Sequence, residues 1–424
     1  MIVIEQGFET EMSDLVVDKS NFYTVIWTVG YGGSISSGGV IKDGVIYFGC
    51  CDNYIYAVDC STGKELWRFK ASGSFVESRP FLNGHFLYLG CYDGYMYKVD
   101  ASTGKLAWRF RTGDKITASA NVHMGVVYIS SFDGNFYSID DSDGKEIWRF
   151  RTGDWTGAGP LIIDGVFYAG SGDGNLYALD TKTGKELWRF RTGGSILHHR
   201  IAPYHGNVIF FPSSDHYLYA VDMKTGREVW KFRTGERTES TPLIHEGVVY
   251  FGAHDNYFYA VDMENGKEKW RFRTNNWVGD IRPLVHGNII YFGSVDGNMY
   301  AFTIDGGKLV WKFRTGGEIW ADAAYWNGRI IFGSLDCHLY AVDAETGRET
   351  WRFETSSKVQ APLEIFEQVK NKPEFVGRVE ESGMAEEGYG FVPQLNVSES
   401  FYTPAIEYAG KDIYGAKEKK YEKI

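Results

Sequence analysis

The sequence lacks long apolar runs and any export signal. No stretch of its 424 residues approaches the roughly 18 apolar residues that a membrane-spanning helix needs. The first 20 residues carry Glu5, Glu9, Glu11 and Asp14, but no basic segment, apolar segment or lipobox cysteine. These absences predict a protein without membrane insertion.

Cysteine is scarce, and its spacing forms no disulfide framework. The five cysteines are scattered, which favours a reducing compartment. We therefore predict a cytoplasmic protein, or an extracytoplasmic one if a signal has been removed. Cys50 and Cys51 are adjacent, at the end of a predicted strand where other repeats read Phe-Gly-Ser-x-Asp. We interpret them as ordinary repeat positions, although the sequence leaves their redox state open.

The sequence also lacks an excess of basic residues and the common catalytic motifs. The net charge of −11 gives no general attraction to nucleic acid or anionic lipid. The sequence contains no HExxH, P-loop, GxSxG or CxxC pattern. No catalytic residue or metal ligand is assigned from spacing, and the balance favours a protein that is not an enzyme.

A regular tryptophan repeat is what the chain does contain. Nine tryptophans recur about every 40 residues: Trp27, Trp67, Trp108, Trp148, Trp188, Trp230, Trp270, Trp311 and Trp351. A period near 40, built of short apolar strands and glycine turns, is typical of a β-propeller. We predict an all-β fold, a single propeller whose blades are four-stranded antiparallel sheets.

One repeat shows the expected blade. Between Pro160 and Arg191 we expect four short strands, the second beginning at Gly165, with turns at Asp173-Gly174 and Thr183-Gly184. Asp-Gly predicts a type I′ hairpin between the second and third strands. Third strands end in aspartate, as at Asp180, and Asp305 is assigned this position in the seventh repeat. We interpret these aspartates as acceptors for turn amides and not as a ring of metal ligands.

Fourth strands alternate aromatic and basic residues. The period of two places the aromatics on one face, where we expect them to pack between blades. The opposite face carries Arg109, Arg149, Arg189, Lys231, Arg271, Lys312 and Arg352. We favour a charged outer edge, neutralised by Glu65, Glu146 and Glu186, that prevents edge-to-edge aggregation. The alternative is a belt that binds anions or nucleic acid.

The pattern A-x-D-x-x-T-G-K-x-x-W, present from Ala178 to Trp188, recurs through residues 21–353. It resembles the propeller repeat of the pyrroloquinoline quinone (PQQ) type. That family includes quinone-dependent alcohol dehydrogenases, which hold PQQ and a metal ion in the central funnel, and non-catalytic BamB-like propellers. The resemblance implies the fold rather than the chemistry. The uniformly short loops favour the non-catalytic group without a cofactor; PQQ with a divalent cation is the alternative.

The number of blades depends on Trp27, which precedes the first complete repeat. We predict eight blades, with Trp27 adding an edge strand to the last blade and the tail packing outside. The alternative is nine blades, with the last one shared by the N- and C-termini, because Tyr402–Ile406 and Ile413–Ala416 resemble first and second strands. The predicted organisation is an N-terminal extension (1–20), the propeller (21–354) and a C-terminal extension (355–424).

Positions at which the repeats differ are the candidates for a functional site. The most variable segment follows each Arg-Thr-Gly and leads to the innermost strand, at one mouth of the central channel. Its candidate binding residues are Glu77, Arg79, Trp155, His198, His199, Arg200, Arg237, Glu239, Trp277, Asp280, Arg282, Trp320 and Asp322. Such a set suits a carbohydrate, a cation or a metal, or consists of ion pairs lining a wet channel.

Taken together, these features predict a monomeric, non-catalytic propeller that binds another protein as a scaffold or assembly factor. The alternative is binding of a small ligand or carbohydrate, or a PQQ- or metal-dependent oxidoreductase, at the channel mouth. We expect no nucleic-acid partner. The sequence does not identify the partner or which face binds it.

Overall fold

A computed structural model describes residues 32–197, 203–279 and 281–355, together with four two-residue strands, Val16–Val17, Trp27–Thr28, Ile365–Phe366 and Phe375–Val376. Two compact units are present, one of residues 30–359 and one of residues 1–29 and 360–424. In these described segments, no helix is long and apolar enough to cross a lipid bilayer.

The larger unit contains eight four-stranded antiparallel sheets, each a meander of consecutive strands. The first strands are Val40–Lys42, Phe81–Asn83, Asn121–His123, Leu161–Ile163, Tyr204–His205, Leu243–His245, Leu284–His286 and Ala324–Trp326. The second strands are Val45–Gly49, Phe86–Gly90, Val126–Ser131, Val166–Gly170, Val208–Ser213, Val248–Gly252, Ile289–Gly293 and Arg329–Gly333. We number these sheets blades 1 to 8 in chain order.

The outer half of each blade repeats with equal regularity. The third strands are Tyr54–Asp59, Tyr95–Asp100, Asn135–Asp140, Asn175–Asp180, Tyr217–Asp222, Tyr257–Asp262, Asn298–Thr303 and His338–Asp343. The fourth strands are Glu65–Lys70, Leu106–Arg111, Glu146–Arg151, Glu186–Arg191, Glu228–Arg233, Glu268–Arg273, Leu309–Arg314 and Glu349–Glu354. The all-β propeller of eight four-stranded blades is therefore confirmed.

Neighbouring blades are joined by the repeated tryptophan. Each of the eight indoles donates its Nε1–H to a backbone carbonyl of the next blade, at 2.8–3.2 Å. Each ring also lies against a glycine of that blade whose φ is positive, between 58° and 73°. A Cβ at any of these glycines would lie only 2.7–3.0 Å from the ring, so the contact requires glycine.

The same contact joins the last blade to the first. Trp351 Nε1 donates to the Cys60 carbonyl at 3.0 Å, and its indole lies over Gly63. Ile35 N also donates to the Ser334 carbonyl at 3.1 Å. The ring therefore closes through side-chain packing and loop hydrogen bonds between two complete blades, without a strand that they share.

The prediction for Trp27 is wrong. Trp27–Thr28 pairs with Ile365–Phe366 in a separate two-stranded sheet, and Val16–Val17 pairs with Phe375–Val376 in another. The eighth blade takes all four strands from residues 324–354, so the nine-blade alternative is not observed. The strand-like segments Tyr402–Ile406 and Ile413–Ala416 lie outside the described residues, and the boundaries at residues 20 and 354 stay predictions.

The turns differ from the predicted type. At Asp173-Gly174 only Gly174 has a positive φ, and its N–H donates to the Ser171 carbonyl at 3.1 Å. This is a type I turn followed by a left-handed residue, not the type I′ turn that was predicted. Positive φ at both central residues occurs one hairpin earlier, at Asp164 and Gly165 (50° and 78°).

Most third-strand aspartates cap the next turn as predicted. Asp180 Oδ1 accepts hydrogen bonds from Thr183 N at 2.8 Å and from the Thr183 hydroxyl at 2.7 Å. The bond from the hydroxyl, and to a smaller extent the bond from the amide, hold the pKa of Asp180 below its ordinary value of 3.8. The seventh blade differs, because Thr303 occupies the equivalent position and Asp305 lies within the turn.

Another set of aspartates connects adjacent blades. Asp173 Oδ2 accepts from the Tyr177 hydroxyl of its own blade at 2.6 Å and from Gly153 N, which follows the preceding blade, at 2.7 Å. The aspartate is thus part of the blade-to-blade packing. Burial, and then this carboxylate, raise the pKa of Tyr177 to about 12.

We predict that Gly63→Ala destabilises the ring where it closes. Alanine would be strained in this left-handed backbone conformation, and its methyl group would clash with Trp351. The free energy of unfolding should therefore fall by about 2–4 kcal/mol. The matched control is Gly247→Ala, whose φ of 73° is similar but whose Cβ would meet no atom within 4 Å. Urea unfolding measures both. Equal losses would show that the indole contact does not close the ring.

The turn aspartates should make stability depend on pH. Because the folded-state pKa of Asp180 is lowered, its stabilising effect is present above pH 4 and is lost as pH falls through the folded-state pKa. We expect Asp180→Asn to be less stable at pH 7 and to lose less on acidification than wild type. Asp305→Asn is the control, and thermal unfolding between pH 2 and 7 is the measurement. An unchanged acid profile for Asp180→Asn would contradict this.

Candidate functional site

The segments after the fourth strands lie beside the turns between second and third strands, and together they form one face of the propeller, here the loop face. Phe132 N donates to the Lys115 carbonyl at 3.0 Å, and His254 N donates to the Arg237 carbonyl at 3.0 Å. Val295 N makes the same bond to Trp277. Since this bond recurs from blade to blade, side chains that vary at these positions are held in fixed places.

Three aromatic residues and one lysine form a stack across blades 2 to 4, here the aromatic patch: Tyr92, Lys115, Phe132 and Trp155. The Trp155 ring stacks on Phe132, with centroids 4.3 Å apart and an angle of 29°. Lys115 Nζ lies 4.6 Å from the Phe132 centroid and 4.8 Å from that of Tyr92. Lys115 is buried, while the three rings are half-buried and partly accessible.

Only Trp155 of this patch was among the predicted residues. Tyr92 and Phe132 follow second strands, at the variable position of the Phe-Gly-Ser-x-Asp pattern, where blade 1 has Cys51 and blade 4 has Gly172. That departure from small side chains was a usable signal in the sequence. The stacking itself depends on the spacing between neighbouring blades.

A second cluster lies at blades 6 and 7 and contains three predicted residues, Arg237, Glu239 and Trp277, with His254. Arg237 Nε donates to His254 Nδ1 at 3.2 Å, and His254 Nε2 lies 3.2 Å from Glu239 Oε2. Trp277 stacks over the imidazole at 4.5 Å. Burial, and then Arg237, lower the pKa of His254, so the ring is neutral at pH 7.

A third cluster lies in the central channel. Asp322 Oδ1 accepts from Arg282 N at 2.7 Å, and Asp322 Oδ2 lies 3.6 Å from Arg79 Nη1. Glu77 is buried, has a φ of 60° and donates its backbone N–H to the Ser36 hydroxyl at 3.2 Å. One ion pair between an arginine and an acidic residue, Arg79 with Asp322, therefore lies in the channel.

Trp320 is not a surface residue. It is buried, and its Nε1–H donates to Glu318 Oε2 at 2.6 Å. Burial raises the pKa of Glu318. The predicted set therefore does not form one cluster: it divides among the aromatic patch, the His254 cluster and the channel. His198, His199, Arg200 and Asp280 lie outside the described residues.

The contacts on the outer rim agree with the interpretation of a charged edge whose basic residues are neutralised by glutamate. Arg149 pairs with Glu146 at 2.8 Å and Arg189 with Glu186 at 2.5 Å. Blades 1, 5, 6 and 8 form the equivalent pair. Blade 2 has Leu106 in place of the glutamate, and there Arg109 lies 4.4 Å from the Tyr95 ring centroid.

The residues present do not fit a quinone with its metal ion. In the described part of the chain, no three His, Cys, Asp or Glu side chains are grouped so that they could hold a metal. Asp322 and Glu239 are already engaged by arginine or histidine. Cys50 and Cys51 are buried free thiols, which contact the Ser34 carbonyl and the Ser36 hydroxyl.

Eight meandering blades joined by tryptophan on glycine define the class, a β-propeller of the PQQ type. The family model described as outer membrane protein assembly factor BamB matches residues 23–124, 93–203, 196–312 and 275–369. These matches cover most of the chain, which therefore belongs to this family of propeller repeats. A search of curated protein sequences finds no significant match.

Solved structures share the fold at low sequence identity. BamB from Moraxella catarrhalis is 17% identical, with a TM-score of 0.60 over 76% of this chain and 98% of its own. The computationally designed Ika8 protein is 16% identical, with a TM-score of 0.64 over 77% and 98%. A europium-containing methanol dehydrogenase is 14% identical, with a TM-score of 0.61 over 77% and 86%. At these identities the likeness shows the fold alone.

Proposed function

We propose that this protein is a non-catalytic scaffold or assembly factor that binds a partner protein through the aromatic patch of its loop face. The observation that carries the proposal is the partly accessible stack of Trp155 on Phe132, with Lys115 held between Phe132 and Tyr92. Aromatic side chains that are already ordered lose little entropy on binding, and tryptophan and tyrosine are enriched among the residues that dominate protein interfaces.

The surroundings of the patch support a protein partner. Asp114 and Asp154 are exposed beside it, so the apolar centre has polar neighbours, as is usual at interfaces. Asp154 Oδ1 accepts from Trp155 N at 2.8 Å, and Thr152 donates to the Asp154 carbonyl, so the loop that carries the indole is fixed. Membership of a family described as an assembly factor agrees with this role.

The proposal takes the protein to be a cytoplasmic monomer without a cofactor. Light scattering after gel filtration should give the mass of one chain, 48.0 kDa. Cell fractionation tests the compartment.

We expect Trp155→Ala to weaken partner binding by about 2 kcal/mol, roughly thirtyfold. The measurement is affinity capture of the full chain from native extract with quantitative mass spectrometry, followed by titration of the partner recovered. The control is Tyr204→Ala, which removes a ring that is 43% exposed in the first strand of blade 5, outside the aromatic patch. A stoichiometric partner retained by Trp155→Ala, or none recovered by wild type, would contradict the proposal.

A further inference from the structure

A cavity of about 330 Å³ lies in the central channel, against the innermost strands of blades 6 and 7. Its wall includes the apolar residues Leu243, Pro283, Leu284 and Val285. A volume of this size is equivalent to about eleven waters in liquid, at roughly 30 Å³ each. It is at the small end of the range for ligand pockets, which combine an apolar wall with a few fixed polar groups.

The wall also carries more positive than negative charge. Arg79, Arg282 and Asp322 line it, so two guanidinium groups face one carboxylate. Asp322 is only 2% exposed, and both of its oxygens are engaged by the two arginine residues: Oδ1 accepts from Arg282 N and Oδ2 faces Arg79 Nη1. Because the carboxylate is held at the wall, it fixes Arg79 in the channel.

The Arg282 side chain supplies a positive charge to this lining. The bond from Arg282 to Asp322 uses the backbone N–H and leaves the guanidinium available. Within residues 32–197, 203–279 and 281–355, no carboxylate forms an ion pair with this guanidinium. It is half-buried at the cavity, where electrostatic attraction is less screened than in water.

His245 supplies a further polar group to the same cavity. It ends the innermost strand of blade 6, and its Nε2 lies 3.7 Å from Glu246 Oε1. The Glu246 side chain is 78% exposed, so water competes for this weak contact. An imidazole and a guanidinium thus face the cavity from two adjacent blades.

We propose that this cavity binds a small aliphatic dicarboxylate, with one carboxylate on Arg282, the other on His245 and the carbon chain against Leu243 and Leu284. A guanidinium offers a planar fork of donors that matches a carboxylate bidentately. The apolar wall accommodates a short aliphatic body, which inorganic phosphate lacks. This site is independent of the aromatic patch.

The first experiment uses isothermal titration of the full chain at pH 7 and about 0.15 M salt with three probes. Glutarate should bind saturably with a dissociation constant below about 1 mM. Glutaramide, which has the same chain without charge, should bind at least tenfold more weakly, since bonds to charged groups contribute about 1.5–3 kcal/mol. Phosphate should also bind more weakly. Absence of saturable glutarate binding, or equal binding of phosphate or glutaramide, would overturn the proposal.

Variants assign the binding to this cavity. Arg282→Gln should weaken glutarate binding at least tenfold, whereas Arg273→Gln, an exposed arginine at the end of the blade 6 outer strand, should leave it unchanged. If Arg282→Gln does not fold, His245→Gln replaces it, with an expected loss of about threefold or more. Glutarate binding that survives in a folded Arg282→Gln or His245→Gln protein would place the site elsewhere and overturn the assignment.

Discussion

The contact on which the rest of the structure depends is the tryptophan of one blade lying on a left-handed glycine of the next. Eight indoles make it, and in each case the ring occupies the space where a Cβ would be. The accompanying bond from Nε1 to a backbone carbonyl fixes the angle between blades. Because the interface between blades 8 and 1 contains the same contact, the ring closes without a strand exchanged between the chain ends.

Because the blades pack so regularly, the amino acid differs from blade to blade at only a few positions. Those positions form the candidate sites. Loops are held by repeated backbone bonds, so a change from a small residue to Phe132 or Trp155 creates a patch without altering the frame. In the channel, one aspartate organises two arginine residues from distant parts of the chain, Arg79 and Arg282. The aromatic patch and the channel cavity are therefore two separate candidate binding sites on one propeller.

Much of the fold could be predicted, because its signals are local and are repeated eight times. Period-two alternation correctly indicated which face of each fourth strand packs inward, and most of the turn aspartates cap as expected. Apart from the type of the turn between second and third strands, errors arose where a repeat departs from the consensus. Trp27 has the spacing of a fourth strand but pairs with Ile365–Phe366. Asp305 was assigned to the end of a third strand, but that strand ends at Thr303 and Asp305 lies two residues later, within the turn. Trp320 is buried and donates to Glu318 instead of facing a ligand.

By itself, the sequence determined the blade: its four strands, its turns and the tryptophan–glycine pair, because each follows from residue order within about 40 positions. The tertiary structure alone decided which variable residues meet. Trp155 stacks on Phe132, His254 stacks on Trp277, and Arg79 lies near Asp322. These residues meet because the packing of the blades brings them together. No spacing along the chain encodes these distances, since they depend on how each blade is rotated against the next.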